Sequence, residues 1–144
     1  MRKNTILWAD DDADDLQLMQ EILVKSDHDF TIVEVQNGKE ALEYLEKTKE
    51  DGGKLPCLII LDINLPILSG QEVLRQIRAL PKYIHTPVVF FTTSSQQRDQ
   101  SFAINHSAGF ITKPLTFRQM DTIAEQLLNA CDKGIQGGIR NITF

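Results

Sequence analysis

Cysteine and positive charge are the scarcest useful resources in this chain, and each shortage excludes something. Only two cysteines occur, Cys57 and Cys131, far apart and without CxxC or paired-histidine spacing. A zinc ribbon and a disulfide-framework fold are therefore excluded, and the expectation is two separate, reduced, structural thiols in a cytosolic protein. Lys and Arg number 15 against 20 Asp and Glu, for a net charge of −5 with no basic stripe, so a direct nucleic-acid role has no support. Long hydrophobic runs are missing as well. The longest, such as CLIIL at 57–61, fall far short of the roughly 20 residues of a membrane span. The opening MRKNTILWADDD has no signal-peptide stretch, and the expectation is a cytoplasmic chain without a membrane role. No internal repeat, low-complexity tract or second domain is visible.

What is present is ordinary for one globular domain. The 144 residues are 42% hydrophobic and 24% charged, enough to bury roughly two-thirds of the unfolded surface. Apolar runs alternate with helical patterns. TILWA (5–9) reads as a buried strand, followed by a helix with Leu16, Met19, Ile22 and Leu23 on one face. FTIVEV (30–35) is a second strand, and a second helix follows with Ala41, Leu42 and Leu45 as its stripe. PCLIILD (56–62) is apolar up to its terminal aspartate, as a strand covered on both faces must be. SGQEVLRQIRAL is a third helix, stopped near Pro81; TPVVFFTTS (86–94) is a fourth strand. QQRDQSFAINHS reads as a weaker helix, and AGFITKP (108–114) as a short fifth strand. A final amphipathic helix is built on Phe117, Met120, Ile123, Leu127 and Leu128. Five strand-then-helix units predict an α/β fold with a central parallel sheet and right-handed crossovers. The domain is expected over 1–131, with a Gly-broken tail over 132–144.

Ligands of such sheets bind beyond the carboxyl ends of the strands. Strand one ends in Asp10, Asp11 and Asp12; strand three in Asp62; strand four in Thr92, Thr93 and Ser94; strand five in Lys113-Pro114. Three carboxylates brought together repel, so a cation is needed to offset them, and hard oxygen donors suit Mg²⁺. A carboxylate facing Mg²⁺, an ammonium and a hydroxyl is arranged to take a phosphoryl group as an aspartyl phosphate. In the run WADDDADD, Asp10 and Asp11 are assigned to the cation. Asp12 is expected to cap the first helix, with Asp14 and Asp15 favouring its positive end.

The ordered set ADDD, LIILDINLPILSG, PVVFFTTS and AGFITKP resembles the receiver domain of two-component response regulators, the CheY-like family, over about residues 4–131. The resemblance implies a flavodoxin-like, doubly wound five-stranded parallel sheet in the order 2-1-3-4-5, with helices on both faces. It also implies Asp62 as phosphoacceptor, with Asp11 ligating Mg²⁺ directly and Asp10 mainly through water. The Asn64 backbone carbonyl would be a further ligand, Thr92 the switch hydroxyl, Lys113 the phosphate-binding lysine and Phe110 the aromatic switch. A cis peptide bond is implied between Lys113 and Pro114. Phe110 lacks the hydroxyl of a tyrosine, so a switch there must work by ring packing. The long loop TKEDGGKLP (48–56), with PVVFFTTS and ITKP, resembles the stand-alone regulators that partner phytochrome-type sensor kinases.

By position, Asn64 and Ser94 are candidates for tuning the phosphoryl lifetime. Trp8 is expected in the core near the site, and His28, His85 and His106 on the surface. The function implied is a phosphorelay switch. It takes phosphate from a histidine kinase or phosphotransfer protein and presents a changed surface, on helix four, strand five and helix five, to a downstream protein. Two other readings stand beside it: a phosphate-independent interaction module, and an aspartate-nucleophile phosphohydrolase. The latter expects an aspartate two residues after the nucleophile, where this chain has Asn64.

Overall fold

The computed structural model describes residues 4–25, 30–50, 55–113 and 117–133. Among the described residues, ten regular elements alternate. They are β1 (Asn4–Ala9), α1 (Ala13–Lys25), β2 (Phe30–Val35), α2 (Gly38–Glu50), β3 (Leu58–Leu61), α3 (Gly70–Arg78), β4 (Val88–Thr92), α4 (Gln97–Asn105), β5 (Gly109–Thr112) and α5 (Phe117–Lys133). A 3₁₀ turn at Pro81–Tyr83 follows α3, because proline cannot continue the helix. All strand pairs are parallel, in the order β2-β1-β3-β4-β5. This is the expected doubly wound sheet.

Alternation along each strand divides the core in two. Leu7, Ala9, Ile59, Leu61, Val88, Phe90 and Phe110 face one side, where α2, α3 and α4 pack through Ala41, Leu45, Val73, Leu74, Ile77 and Ala103. Ile6, Trp8, Leu58, Ile60, Val89, Phe91 and Ile111 face the other, against Leu16 and Met19 of α1 and Met120, Ile123, Ala124, Leu127 and Leu128 of α5. Strands β3, β4 and β5 are buried throughout, which explains their unbroken apolar sequence.

The cysteines do not behave as expected. Cys57, just before β3, and Cys131, in the last turns of α5, are joined as a disulfide, with Cα atoms 4.8 Å apart and a sequence separation of 74. Spacing along the chain carried no sign of this, because docking α5 across the sheet is what brings the two together. Among the histidines, His85 is exposed, but His106 is half-buried and stacks on Phe102 with ring centroids 4.1 Å apart. The Lys113–Pro114 bond, His28, residues 51–54 of the long loop and residues 134–144 lie outside the described residues.

Candidate functional site

Strand register assembles the site. Ala9 pairs with Leu61, so the residues that follow, Asp10 and Asp62, leave β1 and β3 side by side. Their backbones extend the ladders: Asp10 N donates to Val35 O at 3.1 Å and Asp62 N to Ala9 O at 3.0 Å. Thr92 pairs with Thr112 at the ends of β4 and β5, and Lys113 N donates to Thr92 O at 2.7 Å. Local hydrogen bonds then aim the acids. Asp10 Oδ1 accepts from Asp12 N at 2.9 Å, and Asp62 Oδ1 from Asn64 N at 3.1 Å. Asp12 caps α1 as expected, its Oδ1 accepting from Asp14 N at 3.0 Å and more weakly from Asp15 N.

The other oxygens of these acids meet one ammonium. Lys113 Nζ lies 3.0 Å from Asp10 Oδ2, 2.9 Å from Asp15 Oδ2 and 3.3 Å from Asp62 Oδ2. Asp10 and Asp62 are buried, at 3% and 7% exposure, so the ammonium is the protein's own answer to charge that water cannot solvate. Burial alone lowers the Lys113 pKa. The hydrogen bond to Asp15 and the charges of Asp62 and Asp10 outweigh it, and the net shift is upward. Lys113 therefore stays charged at any working pH. Burial pushes the Asp10 carboxyl up, against the opposing pull of the Asp12 N–H and of Lys113. Sequence reasoning gave Asp15 only a helix-dipole role; its contact with Lys113 depends on the angle at which α1 leaves the sheet.

Asp10, Asp11 and Asp62 each offer a carboxylate oxygen, all within 4.8 Å of one another, with Asp11 exposed at the rim. Oxygens around a six-coordinate Mg²⁺ stand roughly 3 to 4.2 Å apart, given metal–oxygen distances of about 2.1 Å. The donor set is all hard oxygen and spans a distance slightly greater than that octahedron. It fits the ion with small side-chain adjustment.

Thr92 is fully buried, and its Oγ1 accepts from Ser94 N at 3.3 Å. Ser94 in turn donates through Oγ to Asp99 Oδ2 at 2.6 Å, while Asp99 Oδ1 accepts from Gln71 Nε2 at 2.8 Å. Asp99 is 7% exposed and ties α4, α3 and the β4–α4 loop together beside Thr92. Nothing in the sequence pattern marked it. Gln71, Ser94 and Asp99 border a polar cleft of about 870 Å³ that also touches Asn64. Phe110 is wholly buried, edge-on to Phe90 at 6.3 Å. Trp8 packs edge-on against Phe91 at 5.6 Å, and Lys113 Nζ sits 5.6 Å from the centroid of that same Phe91 ring.

The family model of the response regulator receiver domain matches residues 6–125. The chain belongs to that family. Receiver domains are signalling modules of two-component systems that bind Mg²⁺ at acidic residues, and the cluster at Asp10, Asp11 and Asp62 fits such a set. Response regulator Rcp1 of Synechocystis sp. is 37% identical over 95 residues, covering 65% of this chain and 65% of its own length. Among solved structures, the phosphorylated cyanobacterial phytochrome response regulator RcpA superposes with a TM-score of 0.83 at 29% identity, covering 94% of this chain and 98% of that one. The Mn²⁺-bound form of Rcp1 superposes with a TM-score of 0.80 at 27% identity, covering 92% and 97%. Among the described residues, no helix of this receiver domain is long and apolar enough to cross a membrane.

Proposed function

We propose that Asp62 is the phosphoacceptor of this receiver domain, taking a phosphoryl group from a histidine kinase or phosphotransfer protein. The observation that carries the reading is the single ammonium of Lys113 within 3.3 Å of Asp62 Oδ2, with Asp10 and Asp11 alongside. Asp62 would attack the phosphorus of a phosphohistidine; the P–N bond breaks and an acyl phosphate forms on the carboxylate. Lys113 neutralises charge on the transferred oxygens. Asp10, Asp11, Asp62 and the Asn64 carbonyl are the groups to hold Mg²⁺, which supplies further charge neutralisation when bound. The existence of a Mn²⁺-bound form of Rcp1 supports a divalent ion as ligand of this domain.

A phosphoryl group adds negative charge and strong acceptor oxygens. Thr92, released from Ser94 N, donates to one of them, and Phe110 repacks against Phe90 in the space it leaves. The surface of α4, β5 and α5 then differs between states, and a downstream protein that prefers one state shifts the population by its differential affinity. In this reading residues 1–131 are the switch and 132–144 a tail. Similarity to RcpA and Rcp1 favours a phytochrome-type kinase as the donor. Asn64, two residues after Asp62, and Ser94 border one polar cleft, which suits a role in phosphoryl lifetime.

Incubation with acetyl phosphate and Mg²⁺, read by intact mass, tests the reading. One long-lived phosphoryl adduct, absent from Asp62→Asn, is expected. Turnover without a detectable adduct would favour a phosphohydrolase, and no reaction at all an interaction module.

A further inference from the structure

The disulfide between Cys57 and Cys131 stands apart from the phosphoryl chemistry, at the opposite end of the sheet. Residues Leu55, Pro56 and Cys57 precede β3, and Thr86 and Pro87 precede β4, so the groove they line lies at the amino ends of the strands. It measures about 460 Å³, and both cysteines open onto it, half-buried rather than sealed in the core. Lys82 and His85 line the same groove. A lysine lining such a groove favours a departing thiolate, which makes a disulfide easier to exchange.

Other contacts also hold each end of the bond. Strand β3 is held by ladders to β1 on one side and β4 on the other. Helix α5 is anchored by Met120, Ile123, Ala124, Leu127 and Leu128, all buried. What the bond adds in the folded chain is a tie between the last turns of α5 and the start of β3.

We propose that Cys57 and Cys131 are a redox-active pair, opened at this groove by a dithiol reductant, whose state sets how firmly the end of α5 is held to the sheet. A thiolate of the dithiol attacks one of the two sulfurs and expels the other cysteine as a thiolate. The second thiol of the reductant then displaces the first, leaving it as a cyclic or paired disulfide. Two electrons and two protons pass to the protein, which ends with two thiols. An oxidised dithiol or glutathione disulfide reverses the exchange.

The test uses the full chain, folded, in buffers of reduced and oxidised dithiothreitol. Free thiols are trapped by iodoacetamide and counted by intact mass. The oxidised chain is expected to take up no label. Reduced buffer without denaturant should expose both cysteines, and return to oxidised buffer should hide them again. Hydrogen exchange over residues 126–131 should rise at least several-fold on reduction, with β3 and β4 unchanged. A Cys57→Ser/Cys131→Ser variant should exchange like the reduced chain in both buffers. Two labelled cysteines in the oxidised buffer would overturn the pairing. A bond that yields only in denaturant, or exchange at 126–131 that ignores the redox state, would overturn the switch and leave a fixed staple.

Discussion

Gly70, the first residue of α3, lies against the backbone carbonyl of Asp62 so closely that a Cβ at 70 would overlap that oxygen and sit 2.9 Å from the carbonyl carbon. Gly70 N also donates to Ile63 O at 3.0 Å, so α3 is docked directly on the turn that follows Asp62. In an exposed helix, Gly→Ala would help by about 1 kcal/mol. Here the contact is backbone on backbone and cannot give, so Gly70→Ala is expected to destabilise by on the order of 1–3 kcal/mol. It should also slow phosphorylation at Asp62. Urea denaturation and acetyl phosphate labelling check the two effects; a variant as stable and as reactive as the parent would contradict the account.

Removing the ammonium should expose how the three acids depend on it. Lys113→Met leaves Asp10 and Asp62 buried without a cationic partner, a loss on the order of 3 kcal/mol in a metal-free buffer. Mg²⁺ takes over that neutralisation, so the deficit should shrink as the ion is added, and the ion should bind the variant more tightly than the parent. Trp8 is the sole tryptophan, and it is linked to Lys113 through the Phe91 ring. Its fluorescence during a Mg²⁺ titration is therefore the natural readout. Equal deficits with and without Mg²⁺ would mean that Lys113 and the ion do not share the same charges.

Asp99 provides a contrast, because it touches the switch region and not the acids. Asp99→Ala frees Ser94 and Gln71 and should cost about 2 kcal/mol for two hydrogen bonds to a buried carboxylate. With Ser94 loosened, the backbone contact from Ser94 N to Thr92 Oγ1 weakens as well. The lifetime of the phosphoryl adduct is expected to change several-fold, while Mg²⁺ affinity stays put. A shift in Mg²⁺ affinity of similar size would place Asp99 in the cation site instead.

These cases mark where the sequence was legible. Buried strands such as CLIIL and VVFF announce themselves because both faces must be apolar, and the acids at strand ends could be read once the parallel sheet was inferred. Asp10, Asp62 and Lys113 met as expected because register alone brings them together. Asp15, Asp99 and the cysteines did not show, since each finds its partner through the angle and docking of a helix. Asp15 reaches Lys113 across α1, Asp99 joins α3 to a loop, and Cys131 arrives at Cys57 only when α5 lies across the sheet. Periodicity reports which face of a helix is buried and says nothing of where its ends come to rest.

Tyr83 yields a prediction in pH. Its ring is fully buried and its hydroxyl donates to Leu45 O at 2.7 Å. Burial, helped by the nearby Tyr44, raises the phenol's pKa above its ordinary value near 10. A folded pKa raised above the unfolded one means that the contribution is complete below about pH 10 and is lost as pH climbs through the folded value. Stability should therefore decline with pH in that alkaline window as the unfolded chain gives up its proton first. Tyr83→Phe removes the hydrogen bond, about 1 kcal/mol at neutral pH, and with it this part of the alkaline slope. The gap between variant and parent should narrow as pH rises from 8 to 11, measured by urea midpoints at each pH. A gap that stays constant across the range would show that the buried phenol does not govern the alkaline limb.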